Sequence, residues 1–112
     1  MKNYIIIFSL LFCGLNLNAQ TTEIKYGDNA KAGNYFDNRG FKMYYETYGS
    51  GDPLLIIHGN SGSISNFTNQ IPYFSKNYKV ILADSRAQGK SADPGDSLSY
   101  EMMTDDLNGL LE

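Results

Sequence analysis

The sequence of 112 residues contains one cysteine, one histidine and no tryptophan. A single cysteine excludes a disulfide within the chain. No cluster of histidine, cysteine and aspartate has the spacing of a metal site, and the sequence indicates no other cofactor. No stretch concentrates lysine and arginine, and the net charge is −3, which argues against a nucleic-acid surface because such surfaces concentrate positive charge. The composition, 42% hydrophobic and 19% charged, is that of an ordinary globular protein with one small domain at most.

Residues 1–19 have the three parts of a secretory signal peptide. Lys2 supplies the positive start, Tyr4–Leu17 is almost wholly apolar, and Ala19 is a small residue suited to cleavage. The apolar run is shorter than the roughly 20 residues that a transmembrane helix needs, so no stable membrane span is expected. We therefore expect cleavage after Ala19 and a secreted or periplasmic protein. The alternative is a lipoprotein anchored at Cys13, against which the bulky residue before that cysteine argues.

The next part of the chain is predicted to be a loose polar arm over residues 20–34, followed by a β-hairpin. Asp37–Gly40 (DNRG) is a turn sequence. It lies between Tyr35–Phe36 and Phe41–Tyr48, and the second of these segments is rich in aromatic residues and alternates in character, as a strand does.

Two apolar runs then predict parallel strands. Leu54–Ile57 and Val80–Ala83 are continuously apolar, a pattern typical of strands that are covered on both faces. Between them, apolar residues recur at helical spacing, and Pro72 is expected to kink the helix or to start a new turn. These apolar residues are Ile64, Phe67, Ile71 and Phe74. Strand, helix and strand over about 30 residues predict a parallel βαβ unit and therefore an α/β fold.

A last helix is predicted over Tyr100–Glu112, after a loop at Asp84–Asp96. Ser99 is suited to cap its N-terminus. Its apolar face consists of Tyr100, Met103, Leu107, Leu110 and Leu111. Asp105 and Asp106 lie off this face, so both carboxylates are expected to be in solvent.

The segment Leu54–Ser65 (LLIIHGNSGSIS) has the chemistry of an anion-binding loop. Gly59 and Gly62 allow the backbone to turn sharply where the strand ends. Backbone N–H groups at such a turn attract negative charge. In acyl transfer, groups of this kind stabilise the oxyanion that forms when a carbonyl carbon is attacked.

This segment, together with the later sequence YKVILADSRAQGKS, resembles the N-terminal third of the α/β-hydrolase family. The resemblance implies an incomplete α/β-hydrolase domain over residues 35–112, with the hairpin and the parallel βαβ unit of the family's sheet. It also implies that the backbone N–H of Asn60 is a catalytic oxyanion-hole donor. By the same resemblance, Gly59 and Ser61 are expected to contact the substrate.

The later segment resembles the family's Asp-x-Arg-Gly-x-Gly-x-Ser loop. The matching residues, expected to be structural, are Asp84, Arg86, Gly89 and Ser91. Ala87 stands where the family usually has glycine, which strains the turn if the position requires a positive φ. Asp84 could also be a nucleophile or a metal ligand, but a strand-end carboxylate that holds the Arg86 loop is the preferred interpretation.

The one histidine, His58, has two interpretations. It could be a general base, or its ring could fix the loop at the strand end. The resemblance favours the structural role, because the family's catalytic histidine lies far downstream.

The family's nucleophile lies on a G-x-S-x-G turn, which this sequence does not contain. Gly59–Ser63 is the closest match, but Ser61 within it has no base beside it. A Ser-His-Asp triad needs a base bonded to the nucleophile, so these residues cannot assemble one. We therefore expect a fragment of a longer protein or a truncated reading frame, inactive by itself, in which the last strand forms an exposed apolar edge.

The resemblance implies that the parent protein is a secreted serine hydrolase of esters or related carbonyl compounds, with a small-molecule substrate. An aspartate nucleophile would instead give epoxide or haloalkane hydrolysis. Haloalkane dehalogenases share the His-Gly-Asn start but use tryptophan, which is absent here. A non-catalytic binding protein on the same fold is the third possibility. The sequence does not indicate an oligomeric state.

Overall fold

A computed structural model describes residues 22–93, 95 and 97–112 of the chain. The predicted signal peptide, its cleavage site and Cys13 lie outside these residues. The strands are β1 (Gly33–Asn38), β2 (Phe41–Tyr48), β3 (Asp52–Ile56) and β4 (Tyr78–Ala83). The helices are α1 (Gln70–Phe74) and α2 (Tyr100–Leu111), and a 3-10 helix precedes α1 at Ile64–Phe67. Within the described ranges, no helix has both the length and the hydrophobicity that crossing a bilayer requires.

The described strands form a four-stranded sheet in the order β1-β2-β4-β3. β1 and β2 are antiparallel around Arg39 and Gly40, whose φ angles of 53° and 92° suit a two-residue hairpin turn. β3 and β4 are parallel, so the predicted hairpin and βαβ unit are confirmed. Because β4 also pairs with β2, it is an internal strand. The prediction that this last strand forms the open edge is therefore wrong, and β3 occupies that position.

The connection from β3 to β4 is two short helices rather than one. The 3-10 helix and α1 are separated at Thr68–Asn69, and Pro72 is the third residue of α1. Proline has no N–H to donate and is tolerated in the first turn of a helix, which explains why a new helix begins here. Ile64 and Ile71 are nevertheless fully buried and pack against β2 and β4.

The two faces of the sheet are covered by different elements, because successive side chains of a strand point to opposite faces. The 3-10 helix and α1 cover one face, and α2 covers the other, where Leu107 and Leu110 pack on Met43. The edge strand β3 is covered less completely. Leu54–Ile56 is only half-buried and Ile57 is 57% exposed, so the expectation that this strand is covered on both faces is wrong for the described part of the chain.

The polar arm is held against the sheet by the buried carboxylate of Glu46. The backbone N–H groups of Gly27 and Asn29 each donate to this carboxylate at 2.9 Å. The hydroxyls of Tyr44 and Tyr48 donate to it at 2.7 Å, and burial together with these bonds raises the pKa of both tyrosines. The expectation of a loose arm over residues 20–34 therefore differs from the structure, in which the chain is anchored from Gly27 and β1 begins at Gly33.

Candidate functional site

The chain leaves β3 through a tight turn over Gly59–Gly62. The backbone N–H of Gly62 donates to the carbonyl oxygen of Gly59 at 3.0 Å. Ser61 adopts a φ of 61° inside this turn. A Cβ on Gly62 would lie 2.9 Å from the Gly59 oxygen, so the turn requires glycine there. The predicted sharp turn is therefore present where the sequence indicates it.

The backbone N–H groups of Asn60 and Ser61 have no acceptor within the described residues. Asn60 is exposed and lines a cavity. In acyl-transfer sites, the oxyanion is held by backbone N–H groups that have no partner within the protein. Ser61 does not line this cavity, although the sequence predicts contact with the substrate at Ser61 as well as at Gly59 and Asn60.

The ring of His58 is bonded within the loop on both sides. Its Nε2 accepts the backbone N–H of Ser85 at 3.0 Å, and its Nδ1 lies 2.8 Å from the carbonyl oxygen of Gly59. These partners require a neutral ring with the proton on Nδ1. His58 is only 8% exposed. The geometry favours the structural interpretation of His58, because neither ring nitrogen is left to activate Ser61.

Asp84 at the end of β4 is the centre of the second loop. One carboxylate oxygen accepts the N–H of Ile64 at 2.9 Å, and the other accepts the N–H of Lys90 at 2.8 Å. Asp84 is 1% exposed, and a Cβ on Gly89 would lie 2.2 Å from its carboxylate. Asp84 therefore holds the loop, as predicted, and its oxygens are not available as a nucleophile. No group of three His, Cys, Asp or Glu side chains that could hold a metal occurs in the described ranges.

Ser85 to Gln88 is a β-turn closed by a 2.9 Å hydrogen bond from the N–H of Gln88 to the carbonyl oxygen of Ser85. Ala87 has a φ of 60° in this turn, which costs about 1–2 kcal/mol in a residue with a Cβ. The position thus has the conformation for which the family's glycine is suited. Ser91 fastens the end of the loop to the sheet, because its hydroxyl donates to the Asp84 carbonyl and accepts the N–H of Tyr44 at 2.8 Å.

Asp106 of α2 is fully buried, so the prediction that it lies in solvent is wrong. Its carboxylate accepts two hydrogen bonds from the guanidinium of Arg86, at 2.7 and 2.8 Å, and one from the side-chain amide of Asn38 at 3.0 Å. The neighbouring Asp105 is exposed as predicted. The ion pair fastens α2 to the loop after β4 and so fixes one wall of the cavity. The sequence carried no signal of this pair, because the burial of Arg86 and its approach to α2 depend on the tertiary fold.

The two loops and α2 border a cavity of about 600 Å³ that is open to solvent. Its described lining comes from the end of β3 and the following loop, from the turn after β4, and from the start of α2. The lining residues are Ile57, His58, Gly59, Asn60, Ser85, Gln88, Leu98, Ser99, Tyr100, Met103, Thr104 and Leu107. Small-molecule sites commonly occur in such clefts outside the carboxyl ends of parallel strands.

A family model described as alpha/beta hydrolase fold matches residues 52–112. The chain belongs to the α/β-hydrolase family. It is 35% identical over 72 residues to a soluble epoxide hydrolase of Corynebacterium sp. (strain C12), an alignment that covers 64% of this chain and 25% of that protein. It is 31% identical over 70 residues to a putative non-heme chloroperoxidase of Synechocystis sp. (strain ATCC 27184 / PCC 6803 / Kazusa), covering 62% of this chain and 25% of that one.

Solved α/β-hydrolase structures agree in fold with this chain. The epoxide hydrolase CorEH superposes with a TM-score of 0.68 at 32% identity, over 70% of this chain and 28% of that one. A bromoperoxidase from Bacillus anthracis superposes with a TM-score of 0.67 at 32% identity, over 71% and 30%. The fold class predicted from the sequence is therefore confirmed, and the chain spans about a quarter of the length of the curated relatives it matches.

Within this α/β-hydrolase chain, the predicted residues separate into two groups. Gly59, Asn60 and His58 line the cavity. Asp84, Arg86, Gly89 and Ser91 lie behind its wall and hold the loops. The sequence reasoning missed Ser85 and Gln88, which also line the cavity, because they occupy the variable positions of the Asp-x-Arg motif and carry no signal of their own.

Proposed function

We propose that this chain supplies the oxyanion-stabilising side of a hydrolase active site, and that the whole protein hydrolyses small esters or related carbonyl compounds. The observation that supports the proposal is the unpartnered backbone N–H of Asn60, a residue that lines the cavity after a parallel strand. The substrate carbonyl oxygen would accept this N–H, and the bond would strengthen as negative charge develops on that oxygen in the transition state.

The remaining catalytic groups are proposed to belong to the part of the family fold that these 112 residues do not span. Ser61 has no available base, since both nitrogens of His58 are bonded to the backbone. The 112-residue chain alone is therefore expected not to hydrolyse an activated ester such as p-nitrophenyl acetate. In the part of the family fold that these residues do not span, we expect a G-x-S-x-G motif for serine chemistry.

Removal of the Asn60 N–H tests the proposal directly. Asn60→Pro in the whole protein is expected to lower kcat on p-nitrophenyl acetate roughly 100- to 1,000-fold with little change in KM, as found for the loss of one oxyanion donor. Asn60→Ala keeps the N–H and is the matched control, expected to retain kcat within about threefold. Because proline also restricts φ, an amide-to-ester replacement of the Gly59–Asn60 bond is the second variant. Unchanged kcat in both modified proteins would refute the oxyanion role.

An aspartate nucleophile is the second candidate. It is supported by the 35% identity to a protein named as a soluble epoxide hydrolase. The two candidates are separated by the residue in the nucleophile position and by turnover of a simple epoxide against p-nitrophenyl acetate. Haloalkane hydrolysis, in which the Asn60 side chain would contact the halide, is tested in the same way by halide release.

Export is proposed on the sequence of residues 1–19 alone. Expression of the chain in a bacterial host is expected to give a periplasmic product that begins at Gln20. N-terminal sequencing of the product tests this, and acylation at Cys13 would instead indicate the lipoprotein.

A further inference from the structure

Two polar side chains on one wall of the cavity have no hydrogen-bond partner in the described part of the chain. The Ser85 hydroxyl neither donates nor accepts within the described residues, and its oxygen keeps contact with solvent although the residue as a whole is only 8% exposed. The side-chain oxygen of Gln88 is enclosed and also has no partner. Buried polar groups in folded proteins nearly always have one. The Gln88 oxygen is such an exception, and together with the open Ser85 hydroxyl in the same cavity lining it indicates polar groups that are available to a ligand.

Hydrogen bonds of the main chain fix the backbone that carries these two side chains. The N–H of Ser85 donates to His58, its carbonyl accepts the N–H of Gln88, and the carbonyl of Gln88 accepts the N–H of Ser91. The main chain at Ser85 is therefore fixed beside the cavity. The Gln88 amide makes no hydrogen bond in the described structure, so it can turn towards a ligand without losing one.

The rest of the lining restricts what could bind there. Met103 and Leu107 of α2 and Ile57 at the end of β3 supply apolar surface to the same lining. None of the described lining residues is a lysine, arginine, aspartate or glutamate. This part of the lining therefore offers no cation to compensate a carboxylate or phosphate for lost hydration. The described lining favours an uncharged group that is polar at one end and hydrocarbon at the other.

We propose that Ser85 and Gln88 form the polar end of the cavity and bind an uncharged carbonyl compound that carries an N–H or O–H donor beside a short hydrocarbon chain. This inference rests on the proposed function, because it takes the cavity to be the substrate site. It adds the substrate class and assigns two specificity-determining residues. The donor hydrogen-bonds to the Ser85 oxygen and to the Gln88 side-chain oxygen, while the hydrocarbon packs on Met103 and Leu107.

Hexanamide and methyl pentyl ketone form a matched pair of probes, because they differ only in an NH₂ group that replaces a methyl group. Binding of each to the purified protein is measured by titration of the amide NMR signals, with hexanoate as the charged member of the series. Hexanamide is expected to bind about three- to tenfold more tightly than the ketone, as one or two neutral hydrogen bonds allow. Hexanoate is expected to bind more weakly than hexanamide.

Three variants test which residues cause the preference for hexanamide over the ketone. Ser85→Ala and Gln88→Met remove the proposed acceptors with little change of volume, and each is expected to bring the two affinities within about twofold. Thr104→Val is the matched control, since Thr104 lines the same cavity but its hydroxyl already donates to the Tyr100 carbonyl at 2.8 Å. It is expected to keep the wild-type preference. If one variant fails to fold, the other and the wild-type probe pair still test the proposal.

The NMR signals separate this inference from the proposed function. Equal affinity of hexanamide and the ketone, or a preference that survives both acceptor variants, overturns the polar-end assignment. In that case, a shift of the Asn60 N–H signal with both probes leaves the carbonyl site intact. A hexanamide preference without any shift at Asn60 instead supports the polar end and refutes the oxyanion role. If neither probe binds up to its solubility limit, both assignments are wrong.

Discussion

Replacement of Asp106 by alanine tests the buried ion pair that fastens α2 to the loop after β4. The side chains of Arg86 and Asp106 are 7% and 1% exposed, and two short hydrogen bonds join them. Removal of one partner from a buried pair costs about 3–5 kcal/mol, because the other charge loses its compensation. Small domains have a total stability of about 5–15 kcal/mol, so Asp106→Ala is expected to remove a large part of the free energy of unfolding.

The assay is urea unfolding followed by far-ultraviolet circular dichroism. Asp105→Ala is the matched control, because the same carboxylate is removed one residue away from an exposed position, and it is expected to change the stability by no more than about 0.5 kcal/mol. Asp106→Asn keeps an acceptor oxygen, so its loss of stability should lie between those of Asp106→Ala and Asp105→Ala. A loss below about 1 kcal/mol for Asp106→Ala would refute the reasoning, since it would mean that the pair is dispensable.

Three further predictions concern stability and use the same urea assay. Gly89→Ala is expected to cost about 2 kcal/mol or more, because φ is positive there and the new Cβ would meet the Asp84 carboxylate; a near-neutral effect would contradict this. Glu46→Gln is expected to cost about 1–3 kcal/mol, because the amide nitrogen faces donors that had a carboxylate oxygen, and equal stability would refute it. The pKa values of Tyr44 and Tyr48 are raised in the folded protein, so their contribution to the free energy of unfolding depends on pH. It is fully present below the ordinary tyrosine pKa of about 10 and is lost as the pH rises from there towards the folded pKa. The double Phe variant should show a smaller alkaline loss.

The local elements of the fold could be predicted from the sequence because their signals are local. The DNRG turn and the alternation of Phe41–Tyr48 indicate the hairpin, and two apolar runs around a helical period indicate the βαβ unit. Ser99 caps α2 by accepting the N–H of Met102 at 3.2 Å, as its position predicts. The glycine positions of both loops could also be predicted, since the required conformations are set by the backbone.

The order of the strands and the partners of charged groups could not be predicted in the same way. No sequence pattern indicates that β4 pairs with β2. For this reason the sequence-based prediction places the open edge of the sheet at β4 and not at β3. The helical pattern shows that Asp106 lies off the apolar stripe of α2, but the pattern does not show that Arg86 covers that position. Likewise, nothing local to Gly27 indicates that its N–H reaches a carboxylate 19 residues away. Each of these features depends on contacts between distant parts of the chain.

The anchoring of the polar arm by Glu46 sets a limit on proteolytic trimming of the N-terminus. Cleavage after Ala19 leaves several residues before the first anchoring amide, at Gly27, so the carboxylate keeps all four of its donors. A protease that removed residues through Asn29 would strip away two of the four and leave a buried charge partly unsatisfied. The boundary of the stable protein is therefore set by a carboxylate inside the sheet, several residues downstream of the predicted processing site.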